Sequence, residues 1–483
     1  MPSLDHNRVL FVHPLGYAAG RAGGDISRLA NIMPPLGLAT MAAYLEKLGI
    51  EADIVDFYAW PDSERRMRDL LLEKRPGFVG FSCTTSAFLD GVRLAKLAKS
   101  VLPGVRVVFG GVHVSALRER MLRDHPVIDH IVVGEGEESL AELIQTEGRS
   151  PDVLGVISRG ADADEIVFAG PRPRIPNLDD LPYPAYERLP GYPGRYTLPV
   201  FNYPTTPNAS ALSSRGCPYA CAYCDRSVFE RSYRFNSAAY LYDHMRYLKE
   251  RFGIRHVNFY DDQFTFHLQR IEQLTDLMID TPLDMTFNCA VRAEHVTEPL
   301  LRRLKAAGCW MISLGIETGD QDLLHAMNRK IDLDQLAERI RLINKINIRV
   351  KGLLMIGLPG ETEESVEKTR RFLFSLPVDD FNLTKFTPFP GAPAYATIRD
   401  HGEFDEDWSR MDCMHFLFVP RGFTRERLEE LHVSFYRQHY QRPRVLLDYA
   451  TMLWRSPDSW RRFLLNLGSF IRFARGRDRF DGA

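Results

Sequence analysis

The sequence predicts an α/β chain of two parallel-sheet units in tandem, followed by a helical C-terminal segment. Three observations carry this expectation. Short apolar runs alternate with amphipathic helical stretches from Arg8 to Gly134. A stretch holding ten prolines between residues 161 and 207 then breaks the alternation. Beyond it, six further apolar runs lie between Ala209 and Phe386, and each ends in a polar or glycine-containing cluster. The expected units are a flavodoxin/Rossmann-like sheet over 1–160, a linker over 161–207, a partial (β/α)6 barrel of the TIM type over 208–400, and a basic, amphipathic helical region over 401–483.

The first unit opens with the buried strand Arg8–Pro14. After the glycine-rich excursion through Gly16, Gly20, Gly23 and Gly24, Pro34-Pro35-Leu36-Gly37-Leu38 starts a helix. Its apolar spacing runs through Leu38, Met41, Ala42, Leu45 and Leu48 and stops at Gly49. Further strands are read at Glu51–Asp56, Phe78–Ser82, Val105–Gly110 and His130–Gly134, with helices between them. This alternation implies a parallel sheet covered on both faces, whose ligands sit beyond the carboxyl ends of its strands. Small residues gather at that edge: Ser82-Cys83-Thr84-Thr85, Gly110-Gly111-Val112-His113 and Gly134-Glu135-Gly136-Glu137. Glycine admits a bulky ligand to the backbone, and the hydroxyls offer it hydrogen bonds. Cys83 is expected as a small buried residue and His113 as a polar group lining the pocket.

The prolines deny hydrogen-bond donors and fix the backbone, so an extended, semi-rigid connection is expected. The barrel strands are read at Ala209–Ser213, His256–Tyr260, Met285–Cys289, Met311–Ile316, Val350–Gly357 and Asn382–Phe386. They lead into a cysteine loop, Asp261-Asp262, Arg292, Glu317, Leu358-Pro359-Gly360 and Thr387-Pro388 respectively. Barrel chemistry lives at these carboxyl ends.

With 483 residues, 45% of them hydrophobic, the chain is long enough for several cores. A net charge of −2 gives no global pull toward nucleic acid. The first residues lack the long apolar core of a secretory leader, and no apolar run approaches the length of a membrane span. Seven cysteines, three of them clustered, suit reduced thiols rather than a disulfide framework. The expectation is a cytoplasmic, multidomain enzyme.

The chemistry centres on Ser214-Arg215-Gly216-Cys217-Pro218-Tyr219-Ala220-Cys221-Ala222-Tyr223-Cys224. Its C-x-x-x-C-x-x-C spacing puts three thiolates on one loop. Such soft ligands suit an iron–sulfur cluster or zinc. A closed zinc site needs four ligands, and no histidine or further cysteine follows until His244. Three cysteines on a four-iron cluster leave one iron open to a small molecule.

At these residues the chain resembles the radical S-adenosylmethionine (SAM) enzymes. Gly216-Cys217-Pro218 and the aromatic Tyr223 before the third cysteine both fit the family pattern. The first unit is similar to the cobalamin-binding domain placed ahead of such barrels, in its Pro-Pro-Leu-Gly-Leu helix start and its Gly-Glu-Gly-Glu turn. The resemblance implies a [4Fe–4S] cluster on Cys217, Cys221 and Cys224 that cleaves SAM to methionine and a 5′-deoxyadenosyl radical. It implies Asp261 and Asp262 at the methionine amino group, Arg292 at the carboxylate, and Glu317 near the ribose hydroxyls or as a partner of Arg292. Gly357 and Pro359 match the strand that packs on the adenine. Ser82, Thr84, Thr85, Gly110, Gly111, Val112, His113, Gly134 and Glu135 are the implied cobalamin contacts. No D-x-H-x-x-G motif follows the first strand and His13 lies too early, so any cobalamin is expected without a histidine ligand of that kind. Cys289, Cys309 and Cys413 share no spacing and are expected to be structural.

From Thr424 the chain reads helical, and residues 441–483 hold nine arginines against four aspartates, interleaved with Trp454, Trp460, Phe463, Leu464, Leu465, Phe470, Ile471 and Phe473. Two readings stand: a helix lying at the inner face of a membrane, which would suit an apolar substrate, or a cap on the barrel.

The resemblance therefore implies a cobalamin-dependent radical SAM methyltransferase acting at an unactivated carbon of an apolar, lipid-like or natural-product molecule. An external donor of flavodoxin or ferredoxin type would supply electrons. With the same cofactors, oxidation, ring closure or rearrangement is the alternative. A cluster-binding protein that leaves SAM intact is the non-enzymatic one.

Overall fold

The computed structural model describes residues 3–16, 31–160 and 165–468. In the first unit β1 (Asp5–His13), β2 (Glu51–Asp56), β3 (Pro76–Ser82), β4 (Arg106–Gly110), β5 (His130–Val132), β6 (Val156–Arg159) and β7 (Ile166–Phe168) form one sheet in the order β2-β1-β3-β4-β5-β6-β7. The first five strands are parallel and the last two antiparallel. The edge strand β7 lies past residue 160, so the sheet reaches into the expected linker. A three-residue strand completed only by pairing with β6 leaves little trace in periodicity.

Side chains alternate across β1. Val9 and Phe11 enter one core with helices α1 (Leu36–Lys47) and α6 (Glu137–Gln145). Leu10 and Val12 enter another with α2 (Glu64–Lys74), α3 (Phe88–Val101) and α5 (Glu119–Asp124). The short α4 (Val112–Leu117) follows β4. Burying each such side chain contributes about 1.5–3 kcal/mol. The first of these cores is continuous with that of the barrel, so the two sheets share one interior.

The proline-rich segment makes that continuity. It is not a bare strut: it forms single turns at Leu178–Asp180 and Tyr186–Arg188 and buries Tyr186, Leu189 and Tyr196. Ala185 N–H donates to Ala39 O on α1, and Tyr186 Oη lies 3.1 Å from His244 Nε2 of the barrel.

The second sheet holds β8 (Asn208–Ala211), β11 (His256–Phe259), β12 (Thr286–Val291), β13 (Cys309–Glu317), β14 (Arg349–Ile356) and β15 (Asp380–Lys385), all parallel, in the order β15-β14-β13-β12-β11-β8. It is the expected six-stranded partial barrel. Six helices wrap it: α7 (Ala238–Phe252), α8 (Leu268–Asp280), α9 (Glu298–Ala306), α10 (Gln321–Ala326), α11 (Leu333–Lys345) and α12 (Glu363–Ser375). Ser237 caps α7 by accepting from Tyr240 N–H, and Gly253 ends it in the left-handed region at φ 69°; such N-caps contribute about 1 kcal/mol each. Between β8 and α7 an unforeseen ribbon, β9 (Ser214–Arg215) with β10 (Arg234–Phe235), brackets the cysteine loop.

The C-terminal region opens on an antiparallel hairpin, β16 (Gly402–Phe404) with β17 (Phe418–Pro420), where helix was expected. Helices α13 (Arg425–Tyr440), α14 (Pro443–Arg455) and α15 (Pro457–Leu465) follow. The last two close the foot of the barrel. Ser456 Oγ donates to Tyr203 O at 2.6 Å, Ser459 Oγ accepts from Phe201 N–H at 3.2 Å, and Arg349 pairs with Asp448 at 2.6 Å. Their outer face exposes Leu447 (68%), Trp454 (71%) and Leu465 (76%). Phe470, Ile471 and Phe473 lie outside the described residues. Among those described, no helix is long and apolar enough to cross a membrane.

Candidate active site between the two sheets

A cavity of about 670 Å³ separates the carboxyl edges of the two sheets. On the first sheet, Ser82, Thr84, Gly110, Gly111, Val112, Gly134 and Glu135 line it. Gly111 adopts φ 96°, and a Cβ there would stand 2.8 Å from Cys83 O. Gly134 is also left-handed, at φ 78°. Deeper in, the wall is apolar, with Phe11, Leu38, Met41, Val108, Val132 and Leu140. Two expected members face elsewhere. Thr85 is buried and its hydroxyl finds no protein partner. His113 is fully buried, its ring 4.4 Å from that of Phe88 and 4.7 Å from that of Trp408. Because α4 starts at Val112, consecutive side chains point about 100° apart; Val112 reaches the cavity and His113 turns into the core. Burial lowers its pKa to about 3, so it is a neutral core residue. His13 lies on the cavity wall with Nδ1 2.8 Å from Asp56 Oδ1.

Opposite, β9 delivers the cysteine loop. Gly216 has φ 83°, and a Cβ there would meet Ser232 O at 2.5 Å, so only glycine makes this turn. Cys217, Cys221 and Cys224 all line the cavity, and none forms a disulfide. The loop is tied from both sides: Ala222 N–H donates to Met327 O, and Ala394 N–H to Ala222 O, each at 2.9 Å. A hydrogen bond from Cys224 holds the Cys221 thiol low, aided by Arg329 and Arg292, while burial raises Cys217. Among the described residues no three His, Cys, Asp or Glu side chains are gathered for a single metal ion. Three thiols spread round one loop, with cations behind them, fit a multi-iron cluster. The glycine edge above an apolar well equally fits a flat, bulky cofactor approached by backbone.

The barrel edge supplies charge. Asp262 faces the cavity; burial and then Asp261 raise its pKa. Asp261 does not face it. Its carboxylate accepts from Ser213 N–H at 3.0 Å and from both the Ser213 and Ser214 hydroxyls, pinning the corner from β8 to β9. Arg292 lines the cavity, but its guanidinium pairs with Glu294 at 2.5 Å, lies 3.7 Å over the Tyr219 ring and stands 3.9 Å from Cys221 Sγ. Glu317, at φ 64°, sits against Tyr223. Burial raises its pKa to about 7 against the pull of Arg329. Gly357 and Pro359 lie off the cavity: the Gly357 N–H donates to Glu361 at 2.5 Å, and a Cβ there would meet Phe416 at 3.2 Å. Cys289 and Cys309 are buried, and Cys309 Sγ donates to Met311 O at 3.7 Å.

Sequence reasoning missed Arg329. This buried residue lines the cavity, donates from Nη2 to Gly315 O at 3.2 Å, and leaves Nε without a protein partner. It follows a short helix in an ordinary charged stretch, and nothing in its spacing marks it. Arg215 was missed as well, although it stands two residues before Cys217.

Residues 212–373 match the model of the Radical SAM superfamily and residues 24–144 that of the B12 binding domain. The chain belongs to the radical SAM superfamily and carries a B12 binding domain ahead of its catalytic barrel. It is an enzyme whose cofactors are a [4Fe–4S] cluster, SAM and cobalamin. It is 28% identical over 417 residues to an uncharacterized methyltransferase, PH0819, of Pyrococcus horikoshii, covering 86% of this chain and 89% of that one. It is 27% identical to the anaerobic magnesium-protoporphyrin IX monomethyl ester cyclase of Cereibacter sphaeroides over 98% of this chain and 76% of the cyclase. The fold matches that of the radical SAM methyltransferase TsrM from Kitasatospora setae with cobalamin and [4Fe-4S] cluster bound, at a TM-score of 0.65 and 19% identity, over 82% of this chain and 75% of that one.

Proposed function

We propose that this chain is a cobalamin-dependent methyltransferase acting on an apolar small molecule. One observation carries the reading: a single cavity is walled on one side by the three-cysteine loop and on the other by the glycine edge of the B12 binding domain. When bound, the cluster supplies the electron that cleaves SAM, and cobalamin carries the methyl group. The protein's own part is placement. Cys217, Cys221 and Cys224 would hold the cluster, with the Arg292 and Arg329 charges behind it. Asp262, Glu317 and Arg329 would meet the charged groups of SAM. Gly110, Gly111, Gly134 and Ser82 would admit the corrin to backbone distance. Holding the reacting groups in one water-poor cavity supplies much of the rate.

Seven free cysteines suit a reducing compartment and an external flavodoxin- or ferredoxin-type donor. The exposed apolar face of α14 and α15 lies at the foot of the barrel, at the opposite end from the cysteine loop. Contact with a membrane there would not bring the cavity to the bilayer.

The likeness to a cyclase over almost the whole chain favours a second reading, oxidation or ring closure with the same cofactors. The test is to incubate the reduced protein, loaded with iron, sulfide and cobalamin, with SAM. S-adenosylhomocysteine beside 5′-deoxyadenosine supports methyl transfer. 5′-Deoxyadenosine and methionine alone transfer the case to the second reading. No 5′-deoxyadenosine above a Cys221→Ala control overturns both.

A further inference from the structure

The turn Gly134-Glu135-Gly136-Glu137 stands where cobalamin contacts are expected, yet both its carboxylates are taken by the barrel. Arg215 Nη1 donates to Glu135 Oε1 at 2.6 Å, and its Nη2 to Glu137 Oε1 at 2.5 Å. The other oxygen of Glu135 accepts from Arg234 Nη1 at 2.7 Å and from Ile175 N–H at 3.2 Å. Arg215 and Arg234 are register partners across the β9–β10 ribbon, so both strands flanking the cysteine loop are latched to one turn. The four side chains are only 5–17% exposed. A little further on, Ser227 Oγ donates to Val112 O at 3.0 Å, a second tie to the same edge.

We propose that Arg215 is a positioning residue that sets the reach between the cluster loop and the corrin edge, with Glu135 and Glu137 as its docking partners and not as cofactor ligands. This rests on the cobalamin reading above. One guanidinium bonded to two carboxylates fixes orientation as well as distance, and a lysine, a single point charge, fixes neither so well. The pairs are desolvated, so removing one member leaves buried charge behind and is costly. A purely structural ion pair could sit anywhere on the shared interior. This one stands two residues from the first cluster ligand and one residue past Gly134 on the opposite wall.

The experiment uses the loaded chain with its cobalamin reduced to cob(II)alamin and its cluster to the paramagnetic [4Fe–4S]+ state, and reads by electron paramagnetic resonance how far the cluster speeds relaxation of the cobalt spin. Wild type is expected to show the enhancement; Arg215→Gln, with iron and cobalt contents kept, is expected to lose it, and Arg215→Lys to restore part. A role limited to stability would lower the loaded fraction and leave the relaxation of each loaded molecule unchanged. Undiminished enhancement in Arg215→Gln, or none in doubly loaded wild type, overturns the proposal. If Arg215→Gln does not fold or load, Glu137→Gln, which spares the Glu135–Arg234 pair, decides: partial loss supports the proposal and full enhancement overturns it. If wild type itself binds no cobalamin, the functional reading fails separately. The docking is then decided by amide exchange of the cobalt-free chain. A rise of about tenfold or more in both 130–140 and 214–224 on Glu137→Gln supports it, and a rise confined to one segment overturns it.

Discussion

The two walls of the cavity are made of different materials. The first sheet meets its ligand with backbone: Gly110, Gly111 and Gly134, a few hydroxyls, and an apolar well behind them. The barrel meets its ligands with thiols and buried charge, with Asp262, Arg292, Glu317 and Arg329 converging on three cysteines. Glycine edges select by shape, since anything with the right flat outline can lie against them. The barrel edge selects by charge, and it carries the cost of keeping ions out of water.

The contrast is broken most completely at the cysteines. Cys221→Ala or Cys224→Ala is expected to take bound iron from about four per chain to near none and to abolish SAM cleavage, while cobalt retention by the first sheet survives; metal analysis after desalting reads both. Gly111→Val is the mirror experiment. Its φ of 96° and the 2.8 Å approach to Cys83 O leave no room for a side chain. Cobalt retention should fall to background with a loss of about 2–4 kcal/mol in stability, with iron content kept.

Acid–base behaviour sharpens the same line. Burial raises the buried Glu361 of the β14 turn to about 8, despite two backbone N–H donors. An acid raised on folding binds more protons folded than unfolded between its ordinary pKa and its folded one, so stability falls as pH rises from about 4.5 to about 8. Unfolding free energies from urea titrations across that range should decline less in Glu361→Gln than in wild type, the difference approaching about 5 kcal/mol. Least affected should be Ser82→Ala, which removes one hydroxyl from a wall made mostly of backbone. Cobalamin affinity should drop about fivefold at most, and a drop of a hundredfold would show that the first sheet also reads polar groups one by one.

Where function is local in the chain, the sequence made it legible. The three cysteines, Gly216 and the strand–loop alternation are short-range patterns, and all six barrel strands stand where periodicity put them. What stayed hidden depends on partners far away in sequence. Asp261 and Asp262 look equivalent on paper; one turns inward to two serines near residue 213 and the other faces the cavity. His113 sits one residue from a cavity-lining valine and is lost to the core by a single helical step. Gly357, matched to an adenine-binding strand, instead packs against Phe416 from the C-terminal region, which no local pattern reveals. The hairpin at 402–420 and strand β7 are held by pairing more than by propensity, as short strands commonly are.

The foot of the barrel has a consequence for turnover. There Phe201, Asn202 and Tyr203 are buried beneath α14 and α15; Asn288 donates to Asn202 O at 2.6 Å, and Lys351 Nζ lies 3.3 Å from Asn202 Oδ1. Among the described residues this end is stoppered, which leaves reactants and products the gap between the two sheets to share. Arrivals and departures must then take turns, and a slow-leaving product would throttle the next cycle however fast the bond-making step.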